Sequence, residues 1–327
     1  DHRDLHKEYR RQRQMCIRDS AINHVILKPV GIAGLITPWN LPLYLLSWKI
    51  APAIVMGNTV VAKPSELTPL TANLLAEVIH EVGLPAGVVN IVHGLGSEAG
   101  QSIVEHPKVN LISFTGGTMT GRKVAETASP MLKKLSLELG GKNATIVLDD
   151  TNLDDAIPGI ARAGFLNQGQ VCLCGSRILV SEKIWDEFID KFVTFVKSMK
   201  VGDPASEDSD LGALVSFAHR DKVESYIHLA QSEGGEILCG GKSPDLPSPF
   251  DKGAFLEPTV VSNLSHMSRT ATEEIFGPVV TIHSFKTEEE AIEMANCTEY
   301  GLAGSEWTVD TQRGARIAER LETCLLN

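Results

Sequence analysis

Between Thr59 and Leu148, short aliphatic runs alternate with longer stretches of helical period, and few folds accept that rhythm. Thr59–Lys63 reads as a short buried strand stopped by Pro64. A helix follows, with Thr68 as N-cap, Pro69 at its first position and Gly83-Leu84-Pro85 as its stop. Leu70, Leu74, Leu75, Val78, Ile79 and Val82 recur at helical spacing and predict one apolar face. Strand Val88–Val92, a helix around Glu98–Glu105, strand Leu111–Thr115, a helix over Thr118–Ala128 and strand Thr145–Leu148 continue the pattern. Parallel strands need crossover connections, so this order predicts βαβ units and a parallel sheet, an α/β fold.

The flanks extend it. Asn23–Lys28 and Val30–Ile36 read as strands, with Gly31 and Gly34 allowing close backbone approach. Downstream, Asn152 or Asp154 starts a helix carrying Ile157, Ile160, Ala161 and Phe165, which runs into Asn167-Gln168-Gly169-Gln170 and so delivers Cys172. Strand Arg177–Val180 leads to a helix whose apolar face is Ile184, Phe188, Ile189, Phe192, Val193, Val196 and Met199. Then come helix His219–Glu233, strands Glu236–Cys239, Thr259–Val261 and Val279–Phe285, and helices Glu288–Asn296 and Thr311–Leu321. The domain change is expected just after Lys142, between one doubly wound unit and a second α/β unit.

Composition closes several alternatives. A net charge of −11 argues against general nucleic-acid binding, which draws its affinity from clustered Lys and Arg. Six scattered cysteines (Cys16, Cys172, Cys174, Cys239, Cys297 and Cys324) fit a reducing, cytoplasmic compartment better than a disulfide framework. No CxxC pair, HExxH motif or ligand-spaced histidine cluster is present, so no metal is expected. The apolar run from Leu35 to Gly57 contains Pro38, Asn40, Pro42, Lys49 and Pro52, which argues against a membrane span. Residues 1–20 stand apart, with six basic and four acidic residues, and read as a short solvated helix or disorder. Met15-Cys16-Ile17-Arg18-Asp19-Ser20 looks like a translated adapter remnant, so no function is built on this leader.

The chemistry-bearing stretches each admit an ordinary reading. Gly94-Leu95-Gly96-Ser97-Glu98-Ala99-Gly100 has one residue too many for a dinucleotide fingerprint and reads as a tight turn into a helix. Phe114-Thr115-Gly116-Gly117-Thr118 sits where a strand ends and a helix begins, a place for a pyrophosphate or a structural turn. Lys63-Pro64-Ser65-Glu66 closes a parallel strand; Glu66 can accept from ribose hydroxyls and repel a 2′-phosphate, or merely start a helix. Cys172 reads as a nucleophile or a buried thiol, and its polar, Gly-containing lead-in is a poor core wall. Glu138, between Leu137 and Leu139, reads as a buried base of raised pKa or a salt-bridge partner. Asn40 reads as an oxyanion donor or a turn residue.

Together these stretches resemble the NAD(P)-dependent aldehyde dehydrogenases. The carrying motifs are Thr37-Pro38-Trp39-Asn40-Leu41-Pro42, Lys63-Pro64-Ser65-Glu66, Phe114-Thr115-Gly116-Gly117, Leu137-Glu138-Leu139-Gly140-Gly141-Lys142, Asn167-Gln168-Gly169-Gln170-Val171-Cys172 and Glu273-Glu274-Ile275-Phe276-Gly277-Pro278. The resemblance implies a Rossmann-like NAD-binding domain over residues 21–142, a catalytic domain over 143–327, and an oligomerisation hairpin that makes the parent a homo-oligomer. It implies Cys172 as nucleophile, the Asn40 amide and Cys172 backbone N–H as oxyanion hole, and Glu138 as base for deacylation. Lys63 and Glu66 would hold the adenosine ribose, Gly116 and Gly117 would flank the pyrophosphate, and Glu274, Phe276 and Trp39 would serve the nicotinamide end. Gly117 departs from the more usual Ser, removing one phosphate hydrogen bond, and Glu66 favours NAD over NADP.

The implied reaction oxidises a small-molecule aldehyde to a carboxylic acid through a thioester on Cys172. Trp39-Asn40-Leu41-Pro42-Leu43 and Val171-Cys172-Leu173-Cys174 are most similar to the branch acting on 2-aminomuconate or 2-hydroxymuconate semialdehyde. Basic residues for the carboxylates of such a substrate are not identified. The family portion before Pro29 is replaced by the leader, and Leu321-Glu322-Thr323-Cys324-Leu325-Leu326-Asn327 departs from the family pattern. The expectation is a chain that keeps the chemical residues but is weakly stable and weakly active. The competing readings are a non-catalytic binding or structural relative, an aldehyde dehydrogenase of different substrate range, and a cofactor-free cysteine hydrolase. The last needs a His paired with Cys172, and the sequence nominates none.

Overall fold

The computed structural model describes residues 26–326, so the leader 1–20 and the first part of the strand expected from Asn23 lie outside it. The part that falls inside, Ile26–Lys28, is exposed and forms no strand. The chain divides into two compact units. One holds the described residues up to Thr37 together with Pro42–Phe114 and Lys123–Leu137; the other holds Pro38–Leu41, Thr115–Arg122 and the chain from Glu138 onward.

The first unit is built on β1 (Ile32–Ile36), α1 (Pro42–Val55), β2 (Thr59–Lys63), α2 (Leu70–Glu81), β3 (Val89–Ile91), α3 (Gln101–Glu105), β4 (Val109–Thr115), α4 (Thr118–Ala128) and β5 (Lys134–Glu138), except that Thr115 of β4, Thr118–Arg122 of α4 and Glu138 of β5 fall in the second. Its sheet runs β3-β2-β1-β4-β5, with β3, β2, β1 and β4 parallel. That is the strand order of a mononucleotide-binding half, and the order reverses between β1 and β4, where such sheets bind ligands at their carboxyl edge. Ile36, at the end of β1, registers with Lys63 on one side and Phe114 on the other.

The apolar run Leu35–Gly57 becomes β1 followed by α1. In α1, Leu46 and Ile50 face the core with Ala33, Leu35, Val60, Ala62 and Ala72. Lys49 is buried beside them, and its Nζ donates to Ser113 Oγ at 2.7 Å. Among the described residues no helix is long and apolar enough to cross a membrane.

Two local expectations for α2 are corrected. Pro69, not Thr68, is its cap residue, without a side-chain cap bond, and Thr68 Oγ1 is buried with no partner. The face carrying Leu70, Leu74, Val78 and Val82 exists, but those four side chains are 51–76% exposed, and Ala72 is the buried residue of the helix. Helical period says which residues share a face; it does not say what packs against it.

The second unit contains β6 (Ala144–Val147), α5 (Leu153–Phe165), β7 (Arg177–Ser181), α6 (Trp185–Ser198), α7 (Phe217–Ser232), β8 (Glu236–Cys239), β9 (Thr259–Ser262), α8 (Arg269–Thr272), β10 (Val279–Phe285), α9 (Glu288–Asn296), β11 (Ala303–Trp307), α10 (Thr311–Ala318) and β12 (Leu325–Leu326). Its sheet runs β12-β11-β6-β7-β10-β9-β8, parallel except where β8 joins β9 antiparallel. Asn152 caps α5, its Oδ1 accepting from Asp154 N at 3.2 Å. Ile157, Ile160, Ala161 and Phe165 of α5 pack with Phe188, Phe192 and Val196 of α6 in one core, where the Phe188 and Phe192 rings stack 5.2 Å apart. This buried face makes α5 a rigid mount for the loop that follows. Strands β5 and β11 escape the sequence reading: Lys134–Glu138 never becomes fully buried, and Ala303–Trp307 has no β-branched residue.

Candidate active site

Past α5 the backbone turns sharply. Asn167 (φ 52°), Gln168 (φ 57°) and Gly169 (φ 69°) are three consecutive left-handed residues. A Cβ on Gly169 would lie 2.1 Å from the Gly277 carbonyl oxygen, so glycine is required there by both conformation and space. Gln170 is buried and ties the turn together: its Nε2 donates to Asn167 O at 3.1 Å, and its Oε1 accepts from Val215 N at 3.0 Å. Asn143 clamps the next residues, its Nδ2 donating to Cys172 O at 2.7 Å and to Cys174 O at 2.9 Å.

Cys172 is half-buried, and burial followed by the charge of Glu274 pushes its thiol up; Glu138 adds to the rise, and backbone N–H groups oppose it. Cys174 is buried and pushed up to about 12 by desolvation, so it is a poor nucleophile. The difference between the two is access.

Asn40 lies against this loop. Its Nδ2 donates to Gln170 O at 2.8 Å, and its own carbonyl accepts from Asn167 Nδ2 at 3.0 Å. Its Oδ1 is buried with no partner. Trp39 beside it meets the rings of His219 (centroids 5.2 Å) and Phe276 (5.4 Å) edge-on.

The two carboxylates differ in environment, and the burial that the sequence suggests for Glu138 is not found. Glu138 is exposed rather than buried, because it ends β5 with alternate side chains turned outward. Glu274 is the sheltered acid: burial raises its carboxyl, opposed by the Gly141 hydrogen bond and by Lys222 and Lys142. Gly141 N donates to Glu274 Oε1 at 3.1 Å, and a Cβ on Gly140 would meet Oε2 at 2.4 Å. Lys142 is fully buried, its Nζ donating to Thr270 O at 2.8 Å, and desolvation brings it down to about 7.

Lys63 and Glu66 form an ion pair of 2.8 Å at the carboxyl end of β2, with Lys63 buried and Glu66 exposed. The Lys63 hydrogen bond holds the Glu66 carboxyl below its usual range. Gly116 and Gly117 link β4 to α4, and Gly116 N donates to Glu138 O at 3.0 Å. Gly117 is exposed, with nothing within 4 Å of where a Cβ would stand. Phe276 has φ 61°, and its carbonyl accepts from His219 Nε2 at 2.7 Å.

Cys172, Asn40, Glu138, Trp39, Glu274, Phe276, Gly116 and Gly117 thus belong to one unit, and Lys63 and Glu66 to the other. Sequence reasoning missed Asn143 and His219, single polar residues outside the quoted motifs, and the burial of Lys142 inside one. A cavity of about 730 Å³ lies elsewhere, lined by Trp185, Glu236, His266, His283 and Glu290, and holds none of these residues. Among the described residues no group of three or more His, Cys, Asp or Glu could hold a metal ion.

The profile of the aldehyde dehydrogenase family matches residues 3–327. The 2-aminomuconic semialdehyde dehydrogenase of Mus musculus is 48% identical over 307 residues, covering 93% of this chain and 63% of that protein. The 2-hydroxymuconic semialdehyde dehydrogenase of Pseudomonas sp. (strain CF600) is 47% identical over 303 residues, covering 92% and 62%. The crystal structure of betaine aldehyde dehydrogenase from Staphylococcus aureus in complex with NAD+ superposes with a TM-score of 0.88 at 43% identity, over 91% of this chain and 59% of that one. A putative aldehyde dehydrogenase from Burkholderia cenocepacia gives 0.93 at 46% identity, over 96% and 64%. The chain therefore spans less than two thirds of the length of these relatives.

Proposed function

The chain belongs to the aldehyde dehydrogenase family, and from that we propose that it oxidises an aldehyde to a carboxylic acid with NAD, through a covalent intermediate on Cys172. The observation that carries this reading is Asn40, its side-chain amide bonded to Gln170 O and its backbone carbonyl to Asn167 Nδ2, against the loop that presents Cys172. We propose a muconic-type semialdehyde as substrate, supported by the relatives named above. The same reading takes residues 21–142 as the cofactor-binding portion and 143–327 as the catalytic portion of a cytoplasmic homo-oligomer. The exposed apolar face of α2 supports an assembly that covers it.

The chain's residues suit a dinucleotide. Glu66, exposed and kept ionised by Lys63, offers acceptor oxygens to the adenosine ribose and repels a 2′-phosphate. The open space at Gly117 lets a pyrophosphate approach the backbone at the start of α4. Glu274 would serve the nicotinamide ribose, with Phe276 and Trp39 forming apolar walls.

Cys172 loses its proton and attacks the aldehyde carbon, forming a hemithioacetal. Its raised pKa means that the thiol form dominates at neutral pH, so a base must share in this step. The Asn40 amide and the Cys172 backbone N–H donate to the developing oxyanion. NAD, when bound, would supply the acceptor for the hydride that leaves the hemithioacetal carbon as the thioester on Cys172 forms. Glu138, exposed and therefore within reach of solvent, deprotonates the water that hydrolyses the thioester, and the acid leaves with Cys172 restored.

The test is the appearance of NADH when the chain is mixed with NAD and a muconic-type semialdehyde, beside a Cys172→Ala control. A signal that the control abolishes supports the proposal. A signal that survives the substitution, or silence from the unmodified chain, refutes it.

A further inference from the structure

We infer that His219 is a positioning residue: its imidazole fixes the backbone of Phe276, and through it the segment from Glu274 to Phe276 that would receive the nicotinamide end of the cofactor. The inference rests on the NAD-dependent reading above.

A carbonyl oxygen only accepts, so the 2.7 Å contact from Nε2 to Phe276 O requires the proton on Nε2. The bond joins residues 57 positions apart. Phe276 needs such a restraint. Its φ of 61° places a bulky side chain in the left-handed region, a conformation that persists only where its surroundings enforce it.

The enforcing contacts converge from three segments. The Trp39 ring meets Phe276 edge-on at 5.4 Å and His219 at 5.2 Å, and His219 faces Phe276 at 6.1 Å, so the three rings form a closed set. Gly277 O abuts Gly169 in the loop leading to Cys172. The start of α7 is held by Gln170 Oε1, which accepts from Val215 N, and by Ser216 Oγ, which accepts from His219 N at 3.2 Å. His219 thus stands where the nucleophile loop, the Trp39-Asn40 segment and the Phe276 turn meet. Burial lowers the pKa of the ring; the bond to Phe276 O opposes that shift and Lys222, one turn along α7, adds to it, so the neutral form is favoured.

The test uses the full chain with His219→Phe, which keeps an aromatic edge and removes the donor, and His219→Gln, which keeps a donor. His219→Phe is expected to raise the KM for NAD roughly threefold to tenfold, the worth of one hydrogen bond, while kcat at saturating NAD holds within about twofold. His219→Gln is expected to recover most of the loss. If His219→Phe does not fold, His219→Met takes its place in the same measurement. An unchanged KM, or a fall in kcat and thermal stability without a change in KM, overturns the inference alone. Absence of NADH from the unmodified chain refutes the NAD-dependent reading and this inference with it.

Discussion

Asn40 and Gln170, 130 residues apart in sequence, are joined by a 2.8 Å hydrogen bond from the Asn40 side-chain amide to the Gln170 carbonyl. Asn167 Nδ2 returns a bond to the Asn40 backbone carbonyl, so the main chain is fixed by one bond and the side-chain amide by the other. Removing a preorganised oxyanion donor typically costs about 10²–10³ in kcat. Asn40→Ala is therefore expected to lower kcat by roughly that factor with a much smaller change in KM for aldehyde, read from steady-state NADH formation.

Gly169 joins backbone conformation to packing. Its φ of 69° suits glycine, and a Cβ would fall 2.1 Å from a main-chain oxygen that cannot swing aside. Gly169→Ala is expected to destabilise the chain by about 2 kcal/mol or more and to shift Gly277, measured by urea unfolding. Unchanged stability would contradict the geometry.

Cys172 is pushed up by burial first and by the Glu274 charge second. Removing that negative charge makes the thiolate easier to form. Glu274→Gln is expected to accelerate alkylation of Cys172 by iodoacetamide at pH 8 and to move the half-point of its pH profile downward, followed by mass spectrometry of the Cys172 peptide. A profile moved upward would mean that Glu274 acts on the thiol by some route other than its charge.

Lys142 has a folded pKa of about 7, below the 10.5 of an unhindered lysine. Between those values the unfolded chain binds a proton that the folded chain does not. Stability from this residue therefore rises with pH across the window and falls as pH drops toward 7. Lys142→Met is expected to flatten that slope in unfolding free energies measured from pH 7 to pH 10, while leaving Thr270 O without its donor. An equal slope in both proteins would show that Lys142 stays charged when buried.

Gly117 stands in open space on the strand-to-helix turn. Gly117→Ser is expected to fold normally and to tighten NAD binding about twofold to tenfold, the effect of one added hydrogen bond, by fluorescence titration. Weaker binding would mean that the hydroxyl obstructs the cofactor's approach.

Where one residue's neighbours in sequence decide its conformation, the chain was readable in advance. Thr118–Ala128, Glu236–Cys239, Val279–Phe285 and Glu288–Asn296 fold with the bounds that their periodicity predicts, and Asn152 caps its helix. Lys134–Glu138 and Ala303–Trp307 were not readable, because neighbouring strands, rather than their own composition, make them strands.

Local period and residue type were enough for the α/β class, for most of its elements in order, and for the thiol, the amide and the two carboxylates in the quoted motifs. It took the folded chain to show that Glu138 is exposed while Glu274 is sheltered, that the apolar face of α2 lies open, that Lys142 is fully buried, and that His219 reaches Phe276. Burial and partnership depend on what the rest of the chain brings alongside a residue, and no spacing within a single segment records that.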